Sequence, residues 1–157
     1  MADEIKNVFI SHIHEDDDGL KKLKEICGKN GLQIRDGSIN SSKPNNAKDP
    51  DYIKSQILKP QIEWASVLVV YITPDTKDSD WVKWEIECAA ELGKRIVGVW
   101  EQGSNNCEMP AALDDLYDAV VGWHGESIVD AIVGKSNESY GCDGKSKGYR
   151  APKRYGC

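Results

Sequence analysis

The sequence predicts an α/β fold: a three-layer sandwich with a five-stranded parallel sheet in the middle. Three observations carry this. Five short β-type runs alternate with five segments whose apolar residues recur at helical spacing. Val67–Ile72 is an unbroken apolar run, as a parallel strand buried on both faces requires. And 157 residues provide for one hydrophobic core.

The elements follow in order. Ile5–Ser11 reads as the first strand. Leu20, Leu23, Ile26 and Cys27 mark a helix, with Gly31 just past its end. Leu32–Arg35 is a short second strand, and Gly37–Pro50 a polar loop. Tyr52, Ile53, Ile57, Ile62 and Trp64 predict a helix kinked at Pro60. Val67–Thr73 is the third strand. Ser79–Leu92 is a helix with Gly93 as its stop signal. Arg95–Trp100 is the fourth strand, Ala111–Tyr117 a short helix, Ala119–Trp123 the fifth strand. Glu126–Val133 is a last helix before Gly134.

A βα repeat of this size predicts the flavodoxin-like strand order 2-1-3-4-5. Such a sheet reverses direction between its first and third strands, and ligands bind at the carboxyl ends of the strands there. Topology thus nominates Ser11–Asp18 and Pro74–Glu85.

The body, residues 1–134, is read as one domain, and residues 135–157 as a basic Gly/Lys/Tyr-rich tail. The tail has no Val, Ile, Leu or Phe and carries +4, leaving −10 for the body. Such a segment cannot bury a core of its own. The whole chain carries −6, which argues against nucleic acid and against a polybasic membrane contact. No apolar run approaches the ~20 residues of a spanning helix. Met1–Lys6 shows no apolar signal segment, and the five cysteines are widely spaced without C-x-x-C. A reducing cytoplasm is the expected compartment, with no structural metal.

At the predicted crevice, Trp81 and Glu85 are four residues apart on one helix and share a face. Val82, Ile86 and Ala89 form the buried stripe beside them, while Glu87 points away. A carboxylate next to a flat aromatic suits a ribose and a planar base. The same spacing also fits a solvated Glu beside a core Trp.

Three motifs add a resemblance. Asn7-Val8-Phe9-Ile10-Ser11-His12, Gly31-Leu32-Gln33-Ile34-Arg35-Asp36 and Ser79-Asp80-Trp81-Val82-Lys83-Trp84-Glu85 resemble the boxes of TIR domains. The likeness is to the TIR-like proteins of the bacterial Thoeris anti-phage system and covers about residues 5–134. It implies cleavage of the nicotinamide–ribose bond of NAD+, with NAD+ as substrate rather than cofactor. Glu85 falls on the catalytic glutamate. Trp81 would stack on the nicotinamide or its ribose; His12, Phe9 and Ser11 would line the other wall; Asp36 would sit at the end of the second strand. The resemblance further implies a homo-oligomer and a cyclic ADP-ribose isomer as product. That diffusible signal would reach a separate effector protein. Val82 stands where the family often has Cys, and Gly37–Pro50 lacks the Pro-Gly of receptor TIR domains. Glu15–Asp18 would repel a pyrophosphate, with Arg35, Lys43 and Lys77 as candidate counter-charges.

Other readings are weaker. Ser11–Asp17 resembles the H-x-H-x-D-H metal motif, but Asp17 replaces the last His and only His124 remains elsewhere. Gly-Lys-Ser at 134–136 and 144–146 lacks the earlier glycine of a phosphate loop. A non-catalytic TIR scaffold acting by assembly remains open, since fold does not fix function; a scaffold has no need of the Glu85 carboxylate.

Overall fold

The computed structural model describes residues 4–12, 17–36, 58–73, 76–101, 109–135, 138–140 and 146–149. Strand β1 (Glu4–Ser11) leads to helix α1 (Asp17–Lys29) and β2 (Leu32–Asp36). Next come α2 (Lys59–Trp64), β3 (Val67–Ile72) and a 3-10 turn at Thr76–Asp78. Then α3 (Asp80–Glu91), β4 (Arg95–Trp100), α4 (Ala111–Leu116), β5 (Ala119–Val121) and α5 (Gly125–Val133) follow. The first five strands are parallel in the order β2-β1-β3-β4-β5, as the sequence predicts.

The period-2 geometry of the strands makes the three layers. On β3, Val67, Val69 and Tyr71 face one way and Leu68, Val70 and Ile72 the other. The first set packs on α1 and α5 through Leu20, Leu23, Cys27, Ile128 and Ile132. The second packs on α2, α3 and α4 through Ile62, Val82, Ile86, Ala89 and Leu113. Every residue of β3 is buried, which explains its lack of alternation in sequence.

Two cations at the start of β4 tie helices to opposite faces of the sheet. Lys94 Nζ donates to the Glu63 carbonyl at the end of α2, at 2.9 Å. Arg95 Nε donates to the Ala131 carbonyl in the last turn of α5, at 2.7 Å. Both add a donor to a carbonyl in the last turn of a helix, where the dipole is negative; the Ala131 carbonyl also accepts from the Gly134 amide at 3.4 Å. Beside them, the Asp118 carboxylate accepts from the Ile96 amide at 2.8 Å and fixes β5 against β4.

In α2, Pro60 sits in the first turn with Leu58 before it already in helical conformation; the expected helical residues before Leu58, which with Pro60 would form the kink, lie outside the described residues. Two details differ from the sequence reading. Strand β5 stops at Val121, so Trp123 lies beyond it. The larger difference follows Gly134. The sequence is read there as a basic tail that cannot bury a core of its own, yet β6 (Glu138–Tyr140) and β7 (Ser146–Tyr149) extend the sheet to seven strands. Strand β6 runs parallel to β5 at Val120–Ser139, and β7 pairs antiparallel to β6. The unit β5-α5-β6 is thus one more crossover. Both strands pair through backbone groups, and neither carries an apolar run that would announce it.

Candidate active site

The sheet branches at β1: β2 lies on one side and β3 on the other. Ser11, the last residue of β1, pairs with Val70 of β3. Two buried threonines, Thr73 and Thr76, follow β3. The Thr76 hydroxyl accepts from the Thr73 amide at 2.9 Å and lies 3.3 Å from the Tyr71 carbonyl, to which it donates. The Thr73 and Thr76 hydroxyls lie 3.1 Å apart. This pair, which sequence reasoning passed over, fixes the route from sheet to helix. A Thr-x-x-Thr spacing after a strand was the available signal.

Ser79 then opens α3. Its backbone is extended and its Oγ accepts from the Val82 amide at 3.2 Å, the geometry of an N-cap. Asp80 adds a negative charge in the first turn, where the helix dipole favours it. Gly93 (φ 72°) follows the last turn in a conformation that glycine adopts without a Cβ penalty. With its register set at both ends, α3 turns Val82, Glu85, Ile86 and Ala89 toward the sheet.

Glu85 therefore belongs to the buried face, with 7 % of its surface exposed. Ser11 Oγ donates to Glu85 Oε1 at 2.8 Å, and Ser11 is fully buried. Burial disfavours the charged carboxylate and pushes the Glu85 pKa up to about 8, the Ser11 hydrogen bond pulling in the opposite direction. Trp81, one turn earlier, is 39 % exposed. A nearly sealed carboxyl and an accessible indole thus share a helix face at the point where the sheet reverses.

The remaining predicted residues are spread around this pair. Phe9 shares the strand face of Ser11 but is 1 % exposed within the core among Leu58, Ile62 and Leu68. It backs the site and offers no surface to solvent. His12 is half-buried and its Nδ1 lies 3.0 Å from the Ile10 carbonyl. Asp36 ends β2 opposite Val8, so it stands three residues short of Ser11 along the sheet, ~10 Å by strand rise. Arg35, considered as a counter-charge for phosphate, instead lies over the Trp64 ring at 5.8 Å. It pairs with Asn7, four residues before Ser11. Lys43 and the acidic residues 15 and 16 lie outside the described residues. Among the described residues no three His, Cys, Asp or Glu side chains come together as metal ligands. Nor, among them, is any helix long and apolar enough to cross a membrane. Cys27 and Cys88 are free and buried, and burial pushes the Cys27 thiol up to about 12.

Comparison with known proteins gives this geometry a family. The family model described as "Thoeris protein ThsB, TIR-like domain" matches residues 9–106. The chain belongs to this ThsB TIR-like family. The segment matched to the ThsB model includes Phe9, Ser11, His12, Asp36, Trp81 and Glu85. A relative of this ThsB-family chain, from Cytobacillus dafuensis, is 27 % identical over 123 residues and is named "Putative cyclic ADP-D-ribose synthase TIR2". The aligned part is 76 % of this chain and 32 % of the relative, so the match spans about a third of that protein's length. Among solved structures, the Clostridium botulinum CMP N-glycosidase BcmB superposes with a TM-score of 0.49 at 14 % identity. That superposition covers 83 % of this chain and 100 % of the other.

Proposed function

We propose that this domain cleaves the nicotinamide–ribose bond of NAD+, with Glu85 as the catalytic carboxyl. The observation that supports this best is the buried, hydrogen-bonded Glu85 beside accessible Trp81, at the crevice where such sheets bind ligands. NAD+ is the substrate, and no resident cofactor enters the scheme.

The chemistry fits one carboxyl. When the bond from ribose C1′ to the pyridinium nitrogen breaks, the electron pair stays with nitrogen and nicotinamide leaves neutral. No strong general acid is needed. The ribose becomes an oxocarbenium ion, which a carboxylate a few ångströms away stabilises in a site of low dielectric. Trp81 stacks on the nicotinamide or its ribose and sets the approach. In the ligand-free protein burial favours the protonated form of Glu85. The positive pyridinium favours the ionised form, so substrate binding draws the proton off to solvent. The negative charge then appears where the positive charge is about to develop.

The cation can be captured by water, giving linear ADP-ribose and a proton. It can also be captured by a hydroxyl of the same molecule, giving a cyclic isomer and a proton. We infer the cyclic route, supported by the name of the Cytobacillus dafuensis relative. The isomer would act as a diffusible signal for a separate effector protein. We further infer a homo-oligomer in which a neighbouring copy completes the crevice. Mass spectrometry of the products tests the route: a cyclic isomer has the mass of ADP-ribose less one water. Linear ADP-ribose alone would make the domain a plain NAD+ hydrolase.

A further inference from the structure

We propose that Ser11 is a positioning residue for the reaction: its hydroxyl holds Oε1 of Glu85 so that Oε2 is aimed at the bound ribose. The proposal rests on the NAD+ reading above and deepens it. It assigns Ser11 a different task from the wall of the substrate pocket.

The geometry separates the two tasks. A residue that contacts substrate needs surface, and Ser11 has none, whereas Glu85 keeps a small exposed edge. Ser11 is thus sealed from solvent, while the residue it bonds keeps a small exposed surface. Its position is fixed by the sheet, since it is the last paired residue of β1, opposite Val70. The carboxyl, by contrast, sits on a long side chain in the second turn of α3, with several rotamers available to it. A 2.8 Å hydrogen bond from a rigid strand to that side chain selects one of them. With Oε1 engaged, Oε2 is the oxygen left to meet a ligand. The same bond also favours the ionised carboxylate against the burial that opposes it.

Among the described residues, no second charge is seen to do this work. The ionisation of Cys88, one turn further along α3, feels Glu85, as it feels Lys59, Glu91 and Glu63. Lys59 and Glu63 point to solvent, as do Asp114 and Asp115 on α4, the other helix flanking α3. Lys83 and Glu91 on α3 itself are exposed as well. The causes acting on Glu85 are burial and Ser11.

The test uses the full chain and the Ser11→Ala variant, which removes one oxygen, with Ser11→Thr restoring the hydroxyl. The first readout is a 13C NMR titration of the Glu85 carboxyl in ligand-free protein. Ser11→Ala should raise its midpoint by about one pH unit, and Ser11→Thr should return it toward wild type. The second readout is NAD+ cleavage. Ser11→Ala should lower kcat roughly 10- to 100-fold with KM little changed, and shift the acid limb of the pH profile upward. An unmoved carboxyl midpoint overturns the proposal. So does a rise in KM alone, which would make Ser11 a substrate contact. If wild type releases no nicotinamide at any concentration, the NAD+ reading fails instead. The carboxyl titration still decides whether Ser11 sets the state of Glu85.

Discussion

Tyr71 and Trp123 meet edge to face, with ring centroids 6.1 Å apart and planes at 87°, on the side of the sheet away from Glu85. Tyr71 also lies flush on α1: a Cβ at Gly19 would come within 2.5 Å of its ring. Trp123 is therefore a packing residue, while Trp81 stands on the other face at the crevice.

The two tryptophans should separate cleanly on substitution. Trp123→Ala should cost about 2–3 kcal/mol of stability, through lost packing and the lost aromatic pair, with NAD+ affinity unchanged in the folded fraction. Trp81→Ala should leave the melting curve nearly unmoved and weaken NAD+ binding ~10-fold. Denaturant titration and calorimetric binding read the two effects apart. The opposite pattern would place the ligand on the wrong face of the sheet.

Glu85 should make the fold less stable as pH rises. Its folded pKa of about 8 lies well above that of an exposed glutamate. The folded state therefore holds the proton more tightly than the unfolded chain does. The neutral carboxyl's contribution is fully present below the unfolded pKa, and stability falls by about 1.4 kcal/mol per pH unit until the folded pKa is passed. Glu85→Gln, a neutral isostere, should remove that slope and melt higher than wild type at pH 8. Parallel melts from pH 5 to 9 would show it. A wild-type curve without slope would mean that the carboxyl is solvated.

The same ionisation should shape the pH profile. On the proposed mechanism the ligand-free protein needs the carboxylate, so kcat/KM should climb toward a limb near pH 8, where Glu85 loses its proton. In the complex the pyridinium lowers that pKa, so the limb in kcat should fall at lower pH. Initial rates across pH 5–9 at low and at saturating NAD+ give both limbs. Coincident limbs would remove the link between cation binding and proton release.

The two terminal strands are predicted to protect β5. Ending the chain at Gly134 strips β6 from Val120 and leaves the buried residues Ala119–Val121 as an open sheet edge. Such an edge pairs with other chains. The truncated protein should melt lower and aggregate faster than the full chain, as light scattering on heating would report. Equal behaviour would mean that β6 and β7 contribute nothing to the sheet.

What the sequence made legible follows from what leaves a periodic trace. β3 and β4 are buried runs, and α3 has Ser79 and Gly93 as end signals, so their positions were readable to within a residue or two. Glu85 and Trp81 were placed on one face by helical spacing alone. The burial of Glu85 was not readable. It depends on how far α3 leans onto β1, a tertiary property with no local signature. Ser11 was legible as a neighbour of the crevice, but its hydrogen bond joins residues 74 positions apart. Arg35 looked available as a charge until Trp64, brought alongside by the packing of α2, gave it a ring to cover. β6 and β7 pair through backbone, which any sequence can do.

The most direct measurement is nicotinamide release from NAD+, followed by chromatography, for wild type and Glu85→Gln over a range of protein concentrations. Wild type should release nicotinamide with a specific activity that rises as the protein is concentrated. Glu85→Gln, folded and melting no lower, should be slower by ~10²–10³ at every concentration. Equal rates for the two proteins, or no release by wild type even when concentrated, would contradict the assignment of Glu85 as the catalytic carboxyl of an NAD+-cleaving domain.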